Sequence, residues 1–230
     1  MNKNDKFIIA IDGPSVSGKG TVARMLATRL GIMCLDTGAL YRGMTIYFMQ
    51  RDLLCKEGND VTDEQVSEAL KTVKLEPRCD MSDGTTHIYL NGVDVTENLH
   101  DLEVCENVFR VSPNPLVRAK MRTIQHDIGE NNTLVCEGRD ITSVVFPNAR
   151  FKFFLTADLD VRAQRRHKQE VEKGSGHTLE HVRSVIAARD HADMTRELSP
   201  LMQTPDAVVV DATYLTPTQV VDKMIEVINA

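Results

Sequence analysis

One glycine-framed loop constrains this chain more than any other feature. Residues 8–21 read Ile-Ile-Ala-Ile-Asp-Gly-Pro-Ser-Val-Ser-Gly-Lys-Gly-Thr. An apolar run ends at Ile11, a loop spans Gly13 to Lys19, and a helical pattern begins at once. Strand, loop and helix in that order are the setting in which a P-loop cradles polyphosphate. Gly13, Gly18 and Gly20 let main-chain N–H groups approach phosphate oxygens closely. Pro14, Ser15, Val16 and Ser17 complete the loop. The start of the following helix adds unpaired donors and partial positive charge. Lys19 supplies a compact cation for the β- and γ-phosphates. Gly20 separates Lys19 from Thr21, whereas the usual pattern places the hydroxyl residue directly after the lysine, so the metal-side role of Thr21 is the weakest part of the match. A plain glycine turn with a surface lysine would not explain why all three elements coincide.

The chain has 230 residues, of which 42% are apolar, enough for one large domain with a sizeable core. Its formal net charge of −6 argues against a broad nucleic-acid surface. Positive charge must therefore be concentrated locally, and arginines at 42, 118, 122, 139, 162, 165, 166, 189 and 196 offer that. The five cysteines (34, 55, 79, 105 and 136) contain no C-x-x-C pair, so neither a disulfide framework nor a zinc ribbon is expected. Cys34 and Cys136 sit in apolar runs and read as small core residues. With no signal-like start and no apolar run near 18 residues, a cytoplasmic protein without a membrane partner is expected.

Strands are expected at 7–11, 32–35, 133–136, 151–155 and 207–210, with helices between them. In the first helix Val22, Met25, Leu26 and Arg29 share one face, and Gly31 stops it. Thr62 and Gln65 form a capping-box signal for a helix over about 63–72. The period then changes to two. Runs at 73–75, 87–90 and 93–95 alternate around the turns Asp83-Gly84 and Asn91-Gly92, predicting a small antiparallel sheet. Helices follow at about 101–111 and 116–129, broken at Pro113 and Pro115, and later at about 158–173, 179–194 and from Thr216-Pro217 onward. The fold class is α/β, a central parallel sheet flanked by helices. Ligands in such sheets lie beyond the C-terminal strand ends, where Asp12, Asp36, Glu137 and Asp211 stand.

Glu137, closing an apolar strand, is placed like the acid that helps hold Mg²⁺ near phosphates. The neighbouring Arg139 and Asp140 put opposite charges at the same mouth, and a strand-end salt bridge is the competing reading. Arg162, Arg165 and Arg166 gather guanidiniums on one helix face, which suits an anionic partner or a solvated charged face. Arg189, Asp193 and Arg196 repeat the spacing with mixed sign. Thr37, Tyr41 and Arg42 follow the second strand, where a second nucleotide could rest. His177-Thr178-Leu179-Glu180-His181 fits an H-x-x-E-H zinc pattern without a third ligand nearby. Residues 2–5, Asn-Lys-Asn-Asp, fit a base-reading N-K-x-D but precede the P-loop, and read as a disordered start.

Four blocks resemble the bacterial cytidylate kinase family: Gly-Pro-Ser-Val-Ser-Gly-Lys-Gly-Thr (13–21), Leu-Asp-Thr-Gly-Ala-Leu-Tyr-Arg (35–42), Glu-Gly-Arg-Asp (137–140) with Val-Val-Phe-Pro (144–147), and Arg-Asp-x-x-Asp (189–193). They occur in the family's order across nearly the whole chain. The resemblance implies a P-loop NTPase fold and transfer of the γ-phosphoryl of ATP, with Mg²⁺, to CMP or dCMP. It implies one kinase domain with its core at 1–36, 118–161 and 177–230. A monophosphate-binding insertion would span 37–117 and a helical lid 162–176. Residues 13–21 would hold the donor, with Glu137 and Thr21 toward the metal. Arg42, Arg139 and Arg189 would hold the acceptor phosphate, and Thr37 would help place the acceptor. Asp193 would bind its ribose, while Arg118, Arg196 and Asp140 would surround the base and sugar. Arg162 and Arg166 would close over the donor. The chain departs from the family pattern at Phe109, where serine is frequent, at His126, where arginine is common, and at Thr142, where a glycine usually stands. A monomer acting on small nucleotides is expected. A kinase for UMP or another small acceptor, and a nucleotide-dependent binding switch, remain the alternatives.

Overall fold

The computed structural model describes residues 6–54, 61–172 and 174–230. Residues 2–5, Cys55 and, within the expected lid, Lys173 lie outside the described residues. Strand β1 (Ile8–Asp12) leads through the P-loop into α1 (Lys19–Leu30), then β2 (Met33–Asp36) and α2 (Thr37–Gln50). Helix α3 (Asp63–Thr72) precedes three short strands, β3 (Leu75–Cys79), β4 (Thr86–Leu90) and β5 (Val93–Asp94). Helices α4 (Leu102–Val111) and α5 (Pro115–Asn131) return the chain to β6 (Leu134–Gly138) and β7 (Phe151–Thr156). Helices α6 (Leu159–Glu172) and α7 (Leu179–Thr195), strand β8 (Val208–Asp211) and helix α8 (Pro217–Asn229) close it.

Strands β2-β6-β1-β7-β8 form one parallel sheet in that order. Their residues are apolar on both faces because helices cover both. Ala10, Leu35, Leu134 and Cys136 pack toward Leu40 and Met44 of α2 and Val117 and Met121 of α5. Ile9, Ile11, Val135 and Phe153 pack toward Leu26 of α1 and Val220 and Met224 of α8. Each such aliphatic or aromatic side chain contributes about 1.5–3 kcal/mol by leaving water. Asp12 ends β1, Asp36 ends β2, Asp211 ends β8, and Glu137 is the penultimate residue of β6, so register alone brings these carboxylates to one edge.

The second sheet is antiparallel, ordered β3-β4-β5. It serves the exposed edge of β2. The Thr86 hydroxyl donates to the Cys34 carbonyl at 3.0 Å, and the Asp36 N–H donates to the Thr86 hydroxyl oxygen at 3.3 Å. The Cys34 N–H meets the Cys79 sulfur at 3.2 Å. Side chains thus satisfy donors and acceptors that an edge strand leaves open. One expectation needs correction here. The first strand of this sheet begins at Leu75 rather than at Val73, because the Val73 N–H still closes α3 on the Ala69 carbonyl. The strand runs through Pro77, which β3 tolerates as an edge strand. In α1 the buried face is Val22, Ala23, Leu26 and Ala27, and Arg29 instead pairs with Asp222 of α8 on the surface. Pro115 opens α5 rather than breaking a helix, with the Asn114 carboxamide capping the N–H groups of Leu116 and Val117.

Candidate active site

The loop after β1 takes its shape from three unusual backbone angles. Gly13 has φ 153°, and a Cβ there would meet the Leu155 carbonyl oxygen at 2.0 Å. Gly18 caps α1 in the left-handed region at φ 96°. Val16 also lies there, at φ 59°, a conformation that a β-branched side chain resists. Gly13, Pro14 and Ser15 form the underside of the loop, while Val16, Ser17, Gly18, Lys19, Gly20 and Thr21 line a cavity of about 1140 Å³ above the strand ends.

Lys19 is buried and curls back on the loop, donating to the Pro14 carbonyl at 2.7 Å and the Ser17 hydroxyl at 3.3 Å. Burial lowers its pKa strongly, the nearby Arg139 adds to this, and the Glu137 and Asp12 carboxylates oppose it. Glu137 is shifted the other way. Burial raises its pKa, and the Asp36 carboxylate raises it further. An acid in that position gains from a cation brought beside it. Asp12 lies beneath them. Its carboxylate accepts the Ile141 N–H at 2.9 Å and both the N–H and hydroxyl of Thr142 at 2.7 Å. Burial still raises its pKa. These bonds fix the turn at 141–145 and with it the adjacent Asp140.

The far half of the cavity is an ordered lattice of arginines and aspartates. Asp140 pairs with Arg118, and both are largely buried. Asp193 accepts from Arg139 at 2.9 Å and from Arg196 at 3.4 Å. The Arg118 guanidinium lies 5.6 Å from the Tyr41 ring centre. Burial raises the Tyr41 pKa to about 12. Burial first, and then the neighbouring Arg118, lower that of Arg196. The Thr37 hydroxyl donates to the Glu137 carbonyl at 2.8 Å. One guanidinium in this half is under-satisfied, and a second is exposed to the cavity. Arg42 reaches Asp36 only at 3.4 Å, and its Nε is buried without a partner. Arg189 projects into the open cavity, and burial together with Arg139 lowers its pKa. Among the described residues the cavity is lined by nine lysines and arginines against four carboxylates. In a chain of net charge −6, that local excess suits a polyanion.

Most residues expected at the site meet in this one cavity. Arg162 does not. Its guanidinium is buried, bonded to the carbonyls of Ala157 and Ser15 at 2.9 Å and paired with Asp190, so it is tied under the P-loop rather than facing the donor. Arg165 lines the cavity but donates to the Ala212 carbonyl at 2.6 Å. Arg166 also lines it, pairing with Glu170 at 2.7 Å. The first turns of the expected lid are therefore anchored. His177 bonds Glu170 at 3.2 Å, and its ring packs on His181. Sequence reading gave no role to Asp190. A signal existed: Val182, Ile186 and Asp190 recur every fourth residue, so an acid occupies the buried stripe of α7.

The sequence model of the cytidylate kinase family matches residues 9–230. A cytidylate kinase of Carboxydothermus hydrogenoformans is 41% identical over 221 residues, spanning 96% of each chain. One from Geobacillus thermodenitrificans is 39% identical over 227 residues, spanning 97% of each. This chain belongs to the cytidylate kinase family. At the level of fold, an uncharacterized protein from Eubacterium ventriosum of solved structure superposes with a TM-score of 0.54 at 12% identity, over 98% of this chain and 99% of that one. The three positions expected to depart from the family pattern lie in different surroundings. Thr142 adds a hydroxyl bond to Asp12. His126 bonds the Val145 carbonyl at 2.7 Å and packs against Phe146. Phe109 is exposed on the cavity wall.

Proposed function

We propose that this enzyme transfers the γ-phosphoryl of ATP to CMP and dCMP, with the two nucleotides lying end to end in the single cavity. The observation that carries this reading is the cationic lining of that cavity, drawn from the P-loop and α6 on one hand and from α2, α5, the residue after β6 and α7 with its C-cap on the other. We assign main-chain N–H groups, Lys19, Arg165 and Arg166 of this lining to the donor, and Arg42, Arg118, Arg139, Arg189 and Arg196 to the acceptor. A binding switch needs only one such group. Lys19 and residues 16–21 hold the donor phosphates. Arg42, Arg139 and Arg189 hold the acceptor phosphate, and the partnerless Nε of Arg42 is a donor in need of an acceptor. Asp193 takes the ribose, and Arg118, Asp140, Arg196 and Tyr41 enclose the base, with Thr37 placing the acceptor beside β6.

Catalysis here is positioning and electrostatic stabilisation. A loose transition state spreads charge over the transferred phosphoryl, and the guanidiniums answer it. The acceptor oxygen is already ionised near neutral pH, because a monophosphate has its second pKa near ~6, so no general base is required. The buried Glu137 beside Asp36 is the donor set that fits Mg²⁺, with Thr21 at the cavity wall. Among the described residues no three acids, histidines or cysteines cluster for a metal. Mg²⁺ of this kind draws its remaining ligands from phosphates and water. Its charge would lower the cost of the developing negative charge. The helix beyond Arg165 supplies the closing lid, which keeps water from the donor.

A coupled assay of ADP release across CMP, dCMP, UMP, AMP and GMP tests the reading. CMP and dCMP should lead. UMP ranking above both would place the acceptor elsewhere, and acceptor-independent hydrolysis alone would indicate a switch.

A further inference from the structure

The apex of the P-loop is held from below by two helices. Val16 occupies the left-handed region at φ 59°, and such an angle persists in a β-branched residue only where surroundings enforce it. It packs against the buried cluster of Ala163 of α6 with Val182 and Ile186 of α7, which Leu159 of α6 also covers. The residue before it is gripped at both main-chain polar atoms. The Ser15 N–H donates to Asp190 Oδ1 at 2.8 Å, and the Ser15 carbonyl accepts from Arg162 Nη1 at 2.9 Å. Asp190 Oδ2 pairs with the same Arg162 nitrogen, and Arg162 Nε donates to the Ala157 carbonyl at 2.9 Å. Asp190 and Arg162 are 6% and 7% exposed, so the pair is sealed from water and electrostatically strong.

We propose that the α6–α7 pair sets the phosphate-binding shape of the P-loop, with Asp190 and Arg162 as positioning residues that act through Ser15 and Val16. The proposal rests on the reading that this loop takes ATP. Asp190 points away from the cavity, yet it lies next to Arg189 and three residues before Asp193, which line it. Arg162 precedes Arg165 and Arg166, which line the donor end. The carboxylate therefore fixes the loop relative to groups at both ends of the cavity without touching either nucleotide. Without the grip, Val16 can relax out of the left-handed region, and the N–H groups that follow it lose their common focus.

Replacing a buried ion pair by apolar residues of similar volume often preserves stability, whereas removing one partner does not. The decisive variant is therefore Arg162→Met with Asp190→Leu. Its melting temperature should stay near that of the wild type. Affinity for the imido analogue of ATP, measured by calorimetry, should fall about tenfold, with kcat falling as well. CMP affinity without donor should change little, since the acceptor groups are untouched. A stable double variant with wild-type analogue affinity and kcat would overturn the proposal, because a structural pair alone predicts that function follows stability. Asp190→Asn keeps an acceptor for the Ser15 N–H but deprives Arg162 of its carboxylate. It should weaken analogue binding by about threefold, and decides the matter if the double variant does not fold. Unchanged binding in Asp190→Asn would then reject the link. A wild type that binds the analogue but does not phosphorylate CMP would sink the functional reading and leave the affinity comparison intact.

Discussion

Lys19 is costly for the fold, and the proposed chemistry asks for it all the same. Its ammonium is buried, with two oxygens of its own loop as hydrogen-bond partners. Burial disfavours its charged form, so the folded protein gains little from it. Lys19→Ala should therefore melt within a few degrees of the wild type, while kcat falls about 10²–10³-fold or more. Unchanged turnover would contradict the donor assignment. Asp193 poses the complementary case. It bridges Arg139 and Arg196, and no P-loop residue is among its hydrogen-bond partners. Asp193→Ala should raise the KM for CMP at least about tenfold while the KM for ATP changes by less than about threefold, since the two guanidiniums left without their carboxylate, Arg139 and Arg196, are assigned to the acceptor. Equal losses at both substrates would make Asp193 a purely structural residue.

A helix cap answers to stability even where its helix edges the cavity, as Pro217 and Val220 of α8 do. Helix α8 begins with a capping box, Thr216 with Gln219, and packs Val220 and Met224 behind the sheet. Thr216→Ala should cost about 1 kcal/mol in thermal unfolding. An unchanged melting temperature would deny the cap its role. Strands β7 and β8 are joined at their outer ends by Lys152 and Asp206, 2.5 Å apart. The Lys152 bond holds the Asp206 carboxyl below its usual range. A lowered folded pKa gives stability that is present above the unfolded value, near ~4, and is lost as pH falls through the folded one. Asp206→Asn should flatten the acid limb of melting temperature against pH below that value, and an unchanged limb would deny the pair any role. Elements with local signals were legible in the sequence. The capping box at Thr62 and the turns at Asp83-Gly84 and Asn91-Gly92 all form as their residues dictate. The start of β3 was not legible, because an alternating apolar pattern does not reveal that Val73 still closes a helix, and Pro77 disguises the strand that follows.

For the whole molecule, the parallel sheet gathers Asp12, Asp36 and Glu137 at one edge, and their positions at the ends of apolar runs made that edge visible in advance. Part of the cationic lining was visible too, Arg165 with Arg166 and Arg189 with Arg196, from their spacing along helices. What sequence spacing could not separate was which arginine faces ligand and which faces protein. Arg162 and Arg166 share a helix face, yet Arg162 turns under the loop because Asp190, an acid within the buried stripe of α7, meets it there. That distinction arises only when α6 and α7 pack together. The resulting cavity is lined by residues of both proposed nucleotide positions. Calorimetric titration with adenosine and cytidine joined through five phosphates examines this arrangement. One molecule should bind per chain, more tightly than ATP or CMP alone, and should exclude both. An affinity no greater than that of ATP, with CMP still binding normally to the saturated protein, would contradict a shared cavity.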